Sequence, residues 1–485
     1  MSASLHKFLR WILLLSTTAA LAACAVGPNY HRSPVETPPA FKEAAGWTPA
    51  QPADGVDRGD WWAVFNDPLL DKLERQVEVS NQNVAAALAA YNEAHFVIGQ
   101  DRAAFFPTFT TSAIPTESKQ GNGSLAASDI AGARRSNPAV TEYQVNVGAT
   151  WEPDVWGKVR REVEGAKATA QAEAADLANA KLSAQATLAT DYFEVRLMDA
   201  EKMVVQASVE AQTHSLAVSQ NQYHAGTVSR ATFLDSESTL ASTKASLVNL
   251  DLQRTQSEHA VAMLIGKPPA ELTIAPDPNW FPAVPQTPIE LPSTLLQRNP
   301  AIAAAERSVK AANAQIGVQV AGYYPNITLS GSGGFAGTAI QTLFTSPNSF
   351  WSVGGNAAET LFNGGLTTAL VREAKATRDE TVAEYRQAVL AAFQSVEDEL
   401  AASRVLQNEE PLDQQAWQRS DEAATVALNE YNAGTVDYTT VATAQVTALD
   451  ARVTLVTLQV QRMTTEVSLI EALGGGWSAS QLPKS

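Results

Sequence analysis

Apolar and polar positions along the chain switch between two periods. From Lys158 to about Gln222 they follow the three- and four-residue spacing of a helix, Ala-rich and without proline. At about 1.5 Å per residue such a run reaches roughly 100 Å, as one helix or a helix pair. A shorter helical pattern runs from Leu69 to about Ala104, with Asp67 placed to cap it, Pro68 at its first position and Pro107 beyond its end. Near the C-terminus Ala442, Leu449, Val456, Met463 and Ile470 are seven apart, as are Val446, Val453, Val460 and Val467, which predicts a coiled-coil seam. Thr255 and His259 interrupt the equivalent stripe earlier in the chain.

Two regions alternate instead. Tyr143, Val145, Val147, Ala149 and Trp151 fall on one face of residues 141–151, with Gln144, Asn146, Gly148 and Thr150 on the other. Residues 108–117 alternate likewise, and the Gly, Ser, Asn and Asp between them, with Arg134-Arg135, form a loop over about 118–138. Residues 327–333 and 351–357 repeat the arrangement around a shorter loop near 336–348. Hairpins are thus expected at about 108–151 and 326–360. Strands of about ten residues with alternating polarity and aromatic ends are the pattern of membrane barrels, whose longer loops face outward. An ordinary surface hairpin shares that pattern, but here both hairpins interrupt very long helices.

The chain also repeats itself. Tyr223-His224-Ala225-Gly226-Thr227-Val228 returns as Tyr431-Asn432-Ala433-Gly434-Thr435-Val436, an offset of 208 residues (223 to 431). Asn81, Val84, Ala85, Gly99 and Pro107 return as Asn299, Ile302, Ala303, Gly317 and Pro325, an offset of 218 (81 to 299). Gly after a helical run, then Thr and a β-branched residue before the next, predicts a helical hairpin tip at 223–228 and again at 431–436. The expected organisation is a leader over 1–23, an extended tether over 24–60, a first repeat over 61–267, a Pro-rich linker over 268–298, a second repeat over 299–477 and a tail over 478–485. The fold class that follows is an α+β membrane protein with an internal tandem repeat.

Composition narrows the function. A net charge of −17 and a pI near 4.9 exclude nucleic acid as a partner, because phosphate binding needs clustered Lys and Arg. Lys7 and Arg10, the apolar Trp11 to Leu15, and Leu21-Ala22-Ala23 before the chain's single cysteine resemble a bacterial lipoprotein signal. Cys24 is then the lipidated first residue of the mature protein, and a lone cysteine forms no internal disulfide. Ala25, where such signals carry Asp for inner-membrane retention, favours the outer membrane. No apolar run of 18 residues follows Cys24, so any spanning falls to a closed β-barrel. No phosphate loop, metal cluster or catalytic triad is visible, and the six histidines form no i,i+4 pair. A non-enzymatic protein with no cofactor beyond the covalent lipid is expected. Five Met and one Cys disfavour a thioether path for soft metals.

Several motifs together carry a resemblance: Gly27-Pro28-Asn29-Tyr30 after the lipidation signal, Trp151-Glu152-Pro153-Asp154-Val155-Trp156-Gly157, Leu361-Phe362-Asn363-Gly364-Gly365, both Tyr-x-Ala-Gly-Thr-Val tips, and Ala472-Leu473-Gly474-Gly475-Gly476-Trp477. In this order over nearly the whole mature chain they resemble the TolC-like outer-membrane factors, with the lipoprotein, NodT-type efflux branch nearest. The resemblance implies a homotrimer in which a twelve-stranded transmembrane β-barrel, four strands per copy, continues into a long α-helical coiled-coil barrel in the periplasm. Independently, four strands cannot close a barrel, since small ones begin at about eight, so copies must combine; the pattern alone allows eight, twelve or sixteen strands.

The resemblance further implies a passive exit duct of a tripartite, RND-type efflux system, partnered by a periplasmic adaptor (membrane fusion) protein, an inner-membrane RND transporter and outer-membrane lipid. A type I secretion duct and a non-channel periplasmic scaffold lipoprotein are the alternatives. Gly226, Thr227, Gly434 and Thr435 are the expected adaptor-docking residues, although glycine also simply turns the chain there. Asp437 and Tyr431 are the expected periplasmic gate, Asp437 doubling as a helix cap. Val436, Thr440 and Thr443 replace the Arg and two Asp of the best-studied relative, so its acidic ring does not carry over. Trp151, Trp156, Trp351 and Phe362 are the expected membrane-interface aromatics.

Overall fold

The computed structural model describes residues 25–44, 60–119, 139–277, 280, 284–285 and 292–483. Cys24, residues 45–59 of the expected tether and residues 120–138 of the expected loop lie outside these residues. The chain forms two compact units, one from the described residues of Met1–Arg32, Glu93–Ala170 and Ser308–Val382, the other from those of Ser33–Asn92, Gln171–Arg307 and Ala383–Ser485.

The first unit is built on a four-stranded antiparallel sheet of β1 (Thr108–Ser118), β2 (Val140–Trp151), β3 (Asn326–Gly337) and β4 (Ser349–Ala358), in that order. The two hairpins join through β2 and β3, with Tyr143 opposite Gly337 and Trp151 opposite Leu329. Glycine at 334 permits this pairing, because a Cβ there would lie 2.2 Å from the Val145 carbonyl oxygen. Only the glycine backbone fits so close to a neighbouring strand. Among the described residues the outer edges of β1 and β4 pair with nothing.

The expected helix from Leu69 to Ala104 is corrected to two. Helix α1 (Pro68–Ser80) is capped by Asp67, whose carboxylate accepts from the amides of Leu69 and Leu70. Helix α2 (Gln82–Ala103) restarts after Asn81, an extended residue whose Oδ1 accepts from the Asn83 and Val84 amides at 2.9 and 3.1 Å. Such a cap restarts a helix without changing its apolar spacing, so periodicity does not register the break.

Helices α3 (Lys158–His224) and α4 (Arg230–Leu264) form the first long hairpin. A short helix α5 (Pro292–Arg298) stands where the sequence predicted linker, begun by a proline at a position where no N–H is needed. It is followed by α6 (Pro300–Ala321) and a second long hairpin, α7 (Leu366–Asn432) and α8 (Tyr438–Ala472). Helices α3 and α7 have 67 residues each, which is about 100 Å of helix. For α3 this resolves the choice between one helix and a pair.

The core of the second unit packs Trp61, Trp62 and Phe65 with Leu70, Leu73 and Val77 of α1 against Leu188, Tyr192 and Phe193 of α3, Val261 and Leu264 of α4, and Met463 and Val467 of α8. Full burial of each such side chain contributes about 1.5–3 kcal/mol. Asp67, besides capping α1, accepts hydrogen bonds from the Tyr192 hydroxyl and the Trp280 indole, each at 2.6 Å. Asp199, almost fully buried, bridges Arg196 at 3.2 Å and Arg254 at 2.6 Å, and those arginines also donate to the Ala275 and Ile274 carbonyls. The start of the proline-rich segment is thereby fixed to α3 and α4.

One local arrangement occurs twice. The Asn81 amide donates to the Leu264 carbonyl at 2.8 Å, and the Asn299 amide to the Ala472 carbonyl at 3.2 Å. Beside each, a left-handed glycine lies against a helix end: a Cβ on Gly266 would sit 2.2 Å from the Ser80 oxygen, and one on Gly474 2.1 Å from the Arg298 oxygen.

The heptad expectation for α8 is corrected in part. Val456, Val460, Met463, Val467 and Ile470 are buried, but so are Leu455, Leu458 and Leu469 off the stripe, while Val446 near the tip is 40% exposed. The C-terminal half of α8 is enclosed on several sides and its tip half is not. The tether expectation also changes: Phe41 packs edge-on against Phe393 at 6.3 Å, and the Lys42 and Glu43 amides donate to the Glu397 carboxylate at 2.7 and 2.9 Å.

Candidate functional site

Each long hairpin turns through the same hydrogen-bonded motif. At the first tip Gly226 has φ +73°, its amide donates to the Tyr223 carbonyl, and the Thr227 amide reaches back five residues to the Gln222 carbonyl. At the second, Gly434 has φ +76°, its amide donates to the Tyr431 carbonyl and the Thr435 amide to Glu430. This is the Schellman closure of a helix C-terminus, which needs a left-handed residue. Each Thr adds its hydroxyl to the same carbonyl, at 2.9 Å in both copies. A Cβ on either glycine would meet nothing within 4 Å, so the backbone angle alone requires glycine within this chain.

The following helices are capped in parallel, α4 by Ser229 through the Thr232 amide and α8 by Asp437 through the Thr440 amide at 3.1 Å. The Asp437 carboxylate also accepts from the Thr440 hydroxyl at 3.1 Å. Thr439, Thr440, Thr443 and Thr447 line a hydroxyl-rich cleft with Asp437 and Ser420.

The two tip tyrosines differ. Tyr223 is partly exposed and stacks on Phe233 at 5.7 Å. Tyr431 is buried, packs edge-on against Tyr438 at 5.6 Å, and donates its hydroxyl to the side-chain carbonyl of Gln222 on the other hairpin. Burial pushes the Tyr431 phenol up and takes that of Tyr438 to about 12, so both stay protonated at neutral pH. Gln222 carried no signal of its own in the sequence, since its partner lies about 200 residues away.

In the sheet unit, Trp351 and Phe362 are more than 80% exposed, with Leu361, Phe106 and Phe109 exposed beside them in type. Trp151 is partly exposed and donates its indole N–H to the Phe105 carbonyl at 3.0 Å. Trp156 is half-buried, stacks on Tyr324 at 4.9 Å, and donates to the Pro325 carbonyl at 2.8 Å. It secures the strand-to-helix return. Tyr323-Tyr324-Pro325 stands at the place where the other repeat has Phe105-Phe106-Pro107.

Asp154 accepts from the Val159 and Arg160 amides at 2.9 and 3.0 Å and so caps the start of α3. Among the described residues no His, Cys, Asp and Glu group is arranged to hold a metal, and no helix is long and apolar enough to cross a membrane.

Comparison with known proteins agrees with this geometry. The chain is 28% identical over 470 residues to the pyoverdine export outer membrane protein OpmQ of Pseudomonas aeruginosa, covering 96% of this chain and 97% of that one. It is 27% identical over 483 residues to the toluene efflux pump outer membrane protein TtgI of Pseudomonas putida, covering 95% and 97%. Its fold superposes on the outer-membrane channel OprN with a TM-score of 0.86 at 28% identity, over 94% of this chain and 100% of that one. The profile of the outer membrane efflux protein family matches residues 73–267 and 291–475. The chain belongs to the outer membrane efflux protein family.

Proposed function

We propose that this protein is the outer-membrane exit duct of a tripartite, RND-type efflux system, working as a homotrimer. One observation carries the reading: a four-stranded sheet with both edges unpaired among the described residues, in a chain of the outer membrane efflux family. Open sheet edges are not tolerated in hydrocarbon, because each unpaired backbone group there costs several kcal/mol. Pairing β1 of one copy with β4 of the next satisfies both edges, and three copies give a closed twelve-stranded barrel. The twice-occurring Asn and Gly arrangement at Asn81 and Asn299 supports an internal tandem repeat behind this symmetry.

In this reading the protein performs no chemistry; the inner-membrane transporter supplies energy and the duct supplies a path. The tips at Gly226-Thr227 and Gly434-Thr435 dock a periplasmic adaptor, Tyr431 and Asp437 gate the entrance, and a lipid on Cys24 adds an anchor. Trp151, Trp351 and Phe362 mark the membrane boundary. A pore-free scaffold leaves the paired hairpins and their exposed apolar residues without a role.

Cysteines placed on the facing edges of β1 and β4 test the closure together with conductance. Covalent trimers and discrete single-channel steps in a planar bilayer are expected. Monomers with a silent bilayer overturn the reading.

A further inference from the structure

The residues after Cys24 were expected to be an extended tether, and their first stretch is held by side chains of two helices. Arg161 of α3, whose side chain is only 4% exposed, donates to the Val26 carbonyl at 3.1 Å, the Gly27 carbonyl at 3.3 Å and the Asn29 side-chain oxygen at 2.9 Å. Another of its N–H groups meets Glu164 at 2.7 Å. From α6, Asn313 donates to the Pro28 carbonyl at 3.0 Å, and the Val26 amide donates to the Trp156 carbonyl at 3.0 Å.

The slot is shaped for this segment. Gly27, at φ +89°, lies so close to α6 that a Cβ would come within 2.4 Å of the Gly317 Cα. A Cβ on Gly317 would come within 2.8 Å of the Arg161 Cγ and 2.9 Å of the Val26 oxygen. Gly157 makes a third such contact, its absent Cβ leaving room for Ala25. Close glycine contacts at 27, 157 and 317, a planar guanidinium that meets two backbone carbonyls and the Asn29 side chain, and the Asn313 amide donor together hold a segment that bends at Gly27.

We propose that residues 25–30 are an intramolecular peptide ligand of a slot between α3 and α6, and that Arg161 is the positioning residue that registers it. The chain then leaves for Cys24 from a fixed point beside Trp156, at the strand-to-helix junction. A lipid on Cys24 enters the bilayer at a place set by Arg161 instead of anywhere a tether would reach. The lipid clause rests on the lipidation reading under Proposed function; the docking does not.

Hydrogen exchange on the full mature chain, read by mass spectrometry over residues 25–30, tests this. The wild-type amides are expected to be protected. Arg161→Ala should speed their exchange at least ~10-fold while β2 is unmoved. Arg161→Lys should not restore protection, since a compact ammonium lacks the planar fork that meets Val26, Gly27 and Asn29 together. Asn313→Ala, which leaves Arg161 in place, should raise exchange in the same segment, and it keeps the test open if Arg161→Ala does not fold. Free-peptide exchange in the wild type, or rates within about twofold of wild type in both alanine variants, overturns the proposal. The intact mass of the same sample reports the acyl group separately: a protected segment on an unacylated Cys24 supports the docking and sinks the lipid clause.

Discussion

The Tyr431 hydroxyl donates to the side-chain carbonyl of Gln222, tying the end of α7 to the end of α3. The ring is held separately by Tyr438, Ala427 and Val441, so tie and packing are separable. Tyr431→Phe should keep the packing, cost only about 1 kcal/mol of stability, and raise the resting single-channel conductance in planar bilayers. An unchanged trace from a folded Tyr431→Phe protein removes Tyr431 from the gate.

Asp437 serves as a cap whether or not it also gates, so alanine would confuse the two roles. Ser229 shows which substitution separates them, since serine caps the matching helix. Asp437→Ser should hold thermal stability within about 0.5 kcal/mol while weakening block by divalent cations, and Asp437→Ala should lose about 1 kcal/mol through the cap. Equal divalent block in wild type and Asp437→Ser would leave a cap alone.

Glycines with similar backbone angles should respond very differently to a methyl group. Gly434→Ala meets open space and should cost about 1–2 kcal/mol for the left-handed backbone alone. Gly474→Ala also drives a Cβ to 2.1 Å from the Arg298 oxygen and should cost at least a further ~2 kcal/mol. Denaturant unfolding of the purified variants ranks them, and equal losses would discard the steric account.

Glu74 is fully buried, and among the described residues neither carboxylate oxygen has a hydrogen-bond partner. Burial pushes its carboxyl well above the usual carboxylate range, so the folded protein holds a proton that the unfolded chain releases. Stability from this site is therefore greatest below the unfolded carboxylate range and declines as pH rises toward the folded value. Glu74→Gln should flatten that decline and raise the melting temperature at pH 8 more than at pH 5. A uniform shift, or a loss at pH 8, would contradict it.

Replacing Cys24 by Ser under a cleavable signal should leave trimers in the outer membrane, because a closed barrel is harder to extract than acyl chains. Fractionation and cross-linking give the answer. Soluble monomer would mean that the lipid, not the sheet, holds the protein there.

What the sequence revealed depended on whether a residue's role shows in its own neighbourhood. The alternation of Tyr143 to Trp151 located β2 because pleat and pattern share a period. The tips were legible because Gly226 and Gly434 carry their own helix-stop chemistry. The break at Asn81 was hidden, since a cap keeps the apolar stripe in step, and so was the docking of residues 25–30, whose partners Arg161 and Asn313 lie over 130 residues away. The stack of Trp156 on Tyr324 was hidden likewise, since the two residues lie far apart in the chain. Pairings such as Tyr431 with Gln222 depend on which helices become neighbours, and local pattern does not encode that.

The two unpaired sheet edges carry a genetic consequence. In the proposed trimer every copy supplies one side of two different seams, so a single copy with a ruined β4 opens the whole ring. A cell making normal and edge-defective chains equally would retain only about one-eighth of its randomly assembled rings intact. Alleles that damage β1 or β4 should therefore behave as dominant, whereas alleles that merely unfold the chain before it meets its neighbours should be recessive.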